Sequence, residues 1–314
     1  MKKFARIVGT GSYLPPRIIT NSELENSLDT TDEWITSRTG IKERRIVEDQ
    51  NTCDLALEAS INALEMAELK ASEIDLIILA TTTPDKIFPA TATALQDRIG
   101  ASCPAFDLQA VCAGFVFALT TAQQYIENGT YTNILVVGSE TFSRIVDWSD
   151  RSTAILFGDG AGAVVLSSDN IAGIGYSKIL SDGSYLSSLH VNNNYINEIG
   201  YVEMSGNEVY KIAVKQLSNL AEEILRECNL TASEISWMVP HQANIRIITA
   251  IAKRINLPMS KVILTLKIHG NTSAASIPLA LDVAVRDGRI KKGDKLLLEG
   301  IGGGFSWGGL LVEY

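Results

Sequence analysis

The sequence predicts an α/β fold in which two related halves, each a mixed sheet covered by helices, stack as five layers of helix, sheet, helix, sheet and helix. Three observations carry that prediction. A motif recurs: LKASEIDLIIL at 69–79 and LTASEISWMVP at 230–240 share L-x-A-S-E-I at an offset of 161 (230 − 69). Apolar runs such as DLIILATTT, NILVVGSE and AVVLSS alternate with helical periodicity, which points to mostly parallel strand pairing under helical cover. Two segments, one following Cys112 and one following Asn271, are apolar on nearly every face and must be buried.

The duplication extends beyond the motif. Each copy follows an amphipathic stretch, 54–68 and 211–228, and leads into an apolar strand. QDRIG at 96 pairs with AKRIN at 252, ENG at 127 with RDG at 286, and LVVGSE at 135 with LLLEGI at 296. The halves are therefore 1–170 and 171–314, and they are expected to act as one rigid body. A chain of 314 residues with 46% hydrophobic content can bury a substantial core. Low-complexity segments and long linkers are absent, and NNNYINEIG at 192–200 is expected to be an exposed polar loop.

Composition limits the setting. The opening MKKFARIVGTGSYLPP is broken by Arg6 and glycines, and no later run approaches a bilayer span, so neither export nor membrane insertion is expected. Cys53, Cys103, Cys112 and Cys228 lie far apart without CxxC spacing, which argues for a reducing compartment, the cytoplasm, and against a metal site. Net charge is −9, which disfavours nucleic acid as a partner. Between Ile235 and Leu281, however, there is no acid, while Arg246, Lys253, Arg254, Lys261 and Lys267 all fall there. Such a segment is either ordinary solvated surface or a patch that attracts an anionic partner.

The chemistry concentrates where buried helices begin. Cys112 stands just ahead of an apolar helix that ends at Gly129. A helix N-terminus carries about half a positive charge and can lower a cysteine pKa from ~8.5 into roughly 3.5 to 7.5, which would make Cys112 a nucleophile. A lone cysteine there also reads as a small buried hydrophobe. An offset of 159 (271 − 112) pairs Cys112 with Asn271, again ahead of an apolar helix ending at a glycine. His241 ends the strand of the second repeat, and strand C-termini in open α/β sheets are where ligands bind. Cys112, His241 and Asn271 are thus expected to converge. His269 is the second histidine candidate, with a structural role preferred, and His190 lies in an irregular segment.

Two motifs are set aside. GFSWG at 304–308 fits G-x-S-x-G, but the residues after Ser306 read as a strand where a nucleophile elbow needs a helix. FGDGAGAVVL has the wrong glycine spacing for a dinucleotide loop, and a strand again follows. These glycines, with Gly302, Gly303 and Gly304, are read as tight turns that bring backbone close to the site.

Along almost its full length the chain resembles β-ketoacyl-acyl carrier protein synthase III, of the thiolase superfamily. The resemblance rests on GTGSYLP, TDEWITSRTGI, FPATA, VCAGF, VVGSE, DRSTAILFGDGAGA, HQANIRI, GNTSAAS and GGGFSWG. It implies a thiolase-like fold and a catalytic triad of Cys112, His241 and Asn271. Related elongating synthases carry a second histidine where Asn271 stands, and thiolases a second cysteine, so Asn271 favours the decarboxylating branch primed by coenzyme A.

The resemblance further implies that Trp34, Arg38 and Arg151 hold the CoA of the primer, with Met204, Gly206 and Asn244 lining its tunnel and Phe157 and Phe305 bordering the acyl pocket. An aromatic face and guanidinium groups suit adenine and phosphates. The residues alone read Trp34 and Arg38 as an ordinary amphipathic helix. Gln242, Ala243, Asn244, Ile245 and Arg246 would dock acyl carrier protein, with Lys211 and Lys253 nearby, in agreement with the acid-free segment. Backbone N–H groups of Cys112 and Gly304 would form an oxyanion hole. Phe88 would close the partner's acyl pocket in a homodimer. The expected substrates are an acyl-CoA primer and malonyl-acyl carrier protein, with no cofactor and no metal. Two other readings stay open: a related enzyme of secondary metabolism with an unusual primer or acceptor, and a silent scaffold for acyl carrier protein.

Overall fold

The computed structural model describes residues 3–192 and 200–314, so the loop expected at 192–200 lies almost wholly outside them. Two sheets form the frame. The first runs in the order Phe4–Tyr13, Gly160–Asp169, Asn133–Glu140, Leu76–Ala80 and Ala105–Leu108. The second runs Ile174–Ser181, Ser306–Glu313, Lys295–Gly302 and Trp237–Pro240. Read in these directions the two match strand for strand, except that the fifth is reduced in the second sheet to a single parallel bridge between Met238 and Val262.

Parallel pairing is confined to Leu76–Ala80 with its two neighbours and to Trp237–Pro240 with Lys295–Gly302; every other pair in these two sheets is antiparallel. The expectation of mostly parallel strands is corrected accordingly. For one of these pairs the cause is loop length. Lys295–Gly302 and Ser306–Glu313 are joined by residues 303–305 alone, and so short a connection can only make a hairpin.

Five layers follow from which faces are apolar. Thr52–Ala67 covers the outer face of the first sheet, held at its start by a reciprocal capping box between Asn51 and Asp54. Gly206–Glu227 and Ile245–Arg254 cover the second sheet. Between the sheets lie Gly114–Glu127 and Ser276–Arg286, which pack against both. Phe115 and Leu119 from one helix and Ile277 and Leu281 from the other are almost wholly buried beside Ile78 and Leu298. Each such side chain stabilises the fold by about 1.5–3 kcal/mol through burial. Buried Asp282 ties the second central helix to the first strand, accepting from Thr10 Oγ1 at 2.7 Å and Arg286 Nε at 2.8 Å.

Candidate active site

The two central helices start in the same way. A 3₁₀ turn, Val111–Ala113, precedes Gly114–Glu127, and another, Ser273–Ala275, precedes Ser276–Arg286. Val111 and Ser273 both adopt positive φ, 49° and 48°. The turns and helix starts are each 162 positions apart, so the counterpart of Cys112 is Ala274, not Asn271. The offset of 159 holds only at the helix ends, because the first helix has 14 residues and the second 11. Asn271 nevertheless reaches the site, from the loop before the second turn.

The lengths of chain on either side fix its side chain. Its backbone N–H donates to Leu156 O at 2.9 Å, and its carbonyl accepts from Gly158 N at 3.0 Å. Its Oδ1 accepts from Ser273 N–H at 2.9 Å, so the carboxamide has its two N–H donors left over. His241 follows the strand Trp237–Pro240, and its backbone N–H donates to Glu299 O at 2.8 Å. Its Nδ1 lies 2.6 Å from Ser276 Oγ. Burial pulls the imidazole down to about 3, so it is neutral at physiological pH.

Bare backbone brings these groups together. A Cβ added at Gly302 would stand 2.6 Å from Cys112 N, and one at Gly300 would stand 3.2 Å from Cys112 O and 3.5 Å from His241 Cβ. Glycine at both positions lets the strand Lys295–Gly302 press against the cysteine turn.

Cys112, His241 and Asn271 all line one chamber of about 260 Å³. The expected lowering of the cysteine pKa is corrected: burial drives the thiol up to about 12, with the charge of Glu140 adding to the rise. Desolvation here outweighs the half-charge of the helix terminus. Cys112 therefore rests as a thiol at neutral pH.

Trp34, Arg38, Phe157, Met204, Gly206, Asn244 and Phe305 line the same chamber. Half-buried Trp34 lies under two guanidinium groups, with Arg151 at 4.8 Å and Arg38 at 5.7 Å from the ring centroid. Arg151 itself is not in the lining, though Ser152 is. Gly304 sits in the hairpin beside Phe305 and is likewise outside the lining. Phe88 is 83% exposed on this chain and does not border the chamber.

At the mouth, Ala243 and exposed Arg246 join the lining, and Ile245 is half-buried. Lys211 and Lys253 border a second, open groove with Tyr210, Lys215 and Arg254, and Tyr210 also borders the chamber. Gln242 is corrected as a docking residue. It is fully buried, donating from Nε2 to Pro240 O and Ile263 O while Oε1 accepts from Thr265 N and Leu266 N. The acid-free segment is also less basic at its surface than expected: Arg254 pairs with Glu222 at 2.7 Å, and Lys261 Nζ donates to the carbonyls of Ser233 and Ile235. Arg246, Lys253 and Lys267 remain exposed.

His269 is buried outside the chamber, its imidazole lowered to about 4 by burial and by Arg45. His190 belongs to a short strand, Leu189–Val191, and lies 3.7 Å from Glu203. A strand does begin at Ser306, and Gly160–Asp169 is a strand, which accounts for both rejected motifs. Sequence reasoning missed Glu140, Tyr210 and Ser276. Glu140 was signalled by a carboxylate ending an apolar strand, and Ser276 by its place at the start of a buried helix; Tyr210 left no comparable mark.

Among the described residues no group of three His, Cys, Asp or Glu side chains is placed to hold a metal, and no helix is long and apolar enough to cross a membrane.

Residues 106–183 match the family described as 3-oxoacyl-[acyl-carrier-protein] synthase III, and residues 225–314 match its C-terminal part. A β-ketoacyl-[acyl-carrier-protein] synthase III of Vesicomyosocius okutanii subsp. Calyptogena okutanii is 68% identical over all of both chains. One from Neisseria meningitidis is 56% identical, covering 99% of this chain and all of the relative. The crystal structure of the Aquifex aeolicus 3-oxoacyl-[acyl-carrier-protein] synthase III superposes with a TM-score of 0.96 at 45% identity, over 99% of this chain and 100% of that one. With the duplicated layers and the chamber already in place, these matches show that the chain belongs to the β-ketoacyl-acyl carrier protein synthase III family.

Proposed function

We propose that this acyltransferase starts fatty acid chains by condensing acetyl-CoA, or another short acyl-CoA, with malonyl-acyl carrier protein through an acyl-Cys112 intermediate. One observation supports the reading most: a thiol, a neutral imidazole and a carboxamide line the same chamber.

In the first half-reaction the Cys112 sulfur attacks the thioester carbonyl. Backbone N–H groups of Cys112 and Gly304 hold the tetrahedral oxyanion, the C–S bond to CoA breaks, and the thiol proton leaves with CoA. The positive end of the helix Gly114–Glu127 favours the sulfur anion as that proton departs. Trp34, Arg38 and Arg151 hold the nucleotide end of CoA, and Met204, Gly206, Asn244, Phe157 and Phe305 guide the arm and the acyl group.

In the second, malonyl-acyl carrier protein docks through Ala243, Asn244, Ile245, Arg246, Lys211 and Lys253. Loss of CO2 leaves an electron pair that spreads onto the thioester oxygen, where His241 and Asn271 donate hydrogen bonds. The carbanion attacks the acyl-Cys112 carbonyl, sulfur leaves and is reprotonated, and a 3-oxoacyl thioester results. Decarboxylation supplies the carbanion, so no cofactor beyond the CoA thioester is required.

Ile87 and Phe88 are 80% and 83% exposed, an apolar pair that a second copy would cover. We assign the working form as a cytoplasmic homodimer in which Phe88 of one copy closes the acyl end of the other, and residues 1–170 and 171–314 as the two functional halves.

Mass spectrometry of intact protein after acetyl-CoA treatment tests the proposal. The wild type should gain one acetyl group and Cys112→Ala none; an acetyl adduct that persists on the variant would refute the nucleophile.

A further inference from the structure

His241 can donate into the chamber only if the hydrogen of its neutral ring sits on Nε2. We infer that Ser276, buried at the start of the second central helix, fixes that tautomer by donating its hydroxyl hydrogen to His241 Nδ1; Ser276 is thus a positioning residue for the condensation step. The inference rests on the role given to His241 above.

Ser276 is 1% exposed, and its Oγ has two partners among the described residues, His241 Nδ1 at 2.6 Å and Gln242 N–H at 3.3 Å. A hydroxyl carries one hydrogen and two lone pairs. Gln242 N–H can only donate, so it occupies a lone pair.

Two arrangements remain. If Nδ1 carried the ring hydrogen, Oγ would accept twice and its own hydrogen would be buried without an acceptor among these contacts, a costly state. If the hydroxyl donates to Nδ1, each group is satisfied and Nε2–H is left for the chamber. The second arrangement wins.

Gln242 makes the device rigid. Its side chain is locked by bonds to Pro240 O, Ile263 O, Thr265 N and Leu266 N, so the backbone amide that holds the serine lone pair cannot drift. That gives the buried Gln242 a function other than docking.

Nitrogen-15 NMR of histidine-labelled protein reads the tautomer directly, and only three histidines need assignment. In wild type without substrate, His241 should carry its hydrogen on Nε2. Ser276→Ala should give mixed tautomers and lower the condensation kcat by about tenfold, the scale of one lost hydrogen bond. KM for malonyl-acyl carrier protein and acyl loading of Cys112 should hold, and Ser276→Thr, which keeps a hydroxyl, should restore the Nε2–H signal. An Nδ1–H wild type, or a Ser276→Ala protein with unaltered tautomer and rate, overturns the inference. The wild-type spectrum decides even if neither variant folds. It is also independent of catalysis, so failure of the condensation reading would show separately, as no 3-oxoacyl product formed by acyl-loaded wild type.

Discussion

Val111–Ala113 and Ser273–Ala275 are turns of one shape, each opened at positive φ and each handing over to a buried helix, yet the first has Cys112 at its middle and the second Ala274. Space accounts for part of the difference. A Cβ at Gly138 would meet Ala274 O at 2.4 Å, and one at Gly114 would meet Ala274 Cβ at 3.4 Å, so the second turn is packed into the first half. The second half instead surrounds its turn with donors: Asn271 before it, Ser276 after it, and His241 from the adjoining strand. Duplication has placed two equivalent helix starts face to face, and in the proposed mechanism one carries the nucleophile while the other is flanked by the groups that would stabilise the carbanion.

The division of labour is broken most severely by removing a donor. His241→Ala or Asn271→Ala should leave acyl loading of Cys112 intact and lower condensation by about 10²–10³-fold, the usual effect of deleting a preorganised donor. Separate assays of CoA release and of 3-oxoacyl product check this. If either variant lost both half-reactions equally, the two turns would not divide the work as described.

The sequence carried the duplication well because its strongest trace, L-x-A-S-E-I, fixes a capped 3₁₀ turn ahead of a buried strand in both halves, Ala71–Glu73 and Ala232–Glu234. It also brought Cys112, His241 and Asn271 to one place, since strand ends and helix starts are legible from local pattern. The pairing of Cys112 with Asn271 failed because a three-residue difference in helix length is invisible when both helices are apolar throughout. The cysteine pKa failed because desolvation depends on everything that covers the turn, much of it distant in sequence. Gln242 was misplaced for a related reason: HQANIRI shows a polar residue near a helix start, but only the fold reveals four backbone partners around it.

A smaller effect separates the chamber from its mouth. Arg246 is exposed, lines the chamber's entrance, and stacks 5.2 Å over the Tyr210 ring, close to the groove that holds Lys211 and Lys253. Arg246→Glu should raise KM for malonyl-acyl carrier protein by about tenfold at low salt while acyl loading is unchanged, because it reverses a rim charge rather than touching the reacting atoms. An unaltered KM would remove Arg246 from the docking surface.

The halves also differ in a buried carboxylate, and this yields the mildest test. Glu140, closing the strand Asn133–Glu140, accepts through Oε2 from Thr83 Oγ1 at 2.7 Å, Thr82 N at 3.1 Å and Thr81 Oγ1 at 3.2 Å, and burial raises it only to about 6. Glu299, inside Lys295–Gly302, has neither oxygen paired among the described residues, and burial raises it to about 8. Both values lie above the ordinary 4.5, so the folded state binds these protons more tightly than the unfolded one. Stability attributable to Glu299 is therefore full below pH 4.5, falls as pH rises to about 8, and is flat beyond. Glu299→Gln removes the titration but leaves an unpaired amide, so it should gain stability over wild type at pH 9 and lose or reverse that gain by pH 5. Urea midpoints at pH 5, 7 and 9 measure it. At Glu140 the window closes near pH 6 and glutamine is a poorer acceptor for three donors, so Glu140→Gln should give no gain at pH 9; equal pH profiles for the two variants would mean that the halves treat their buried acids alike.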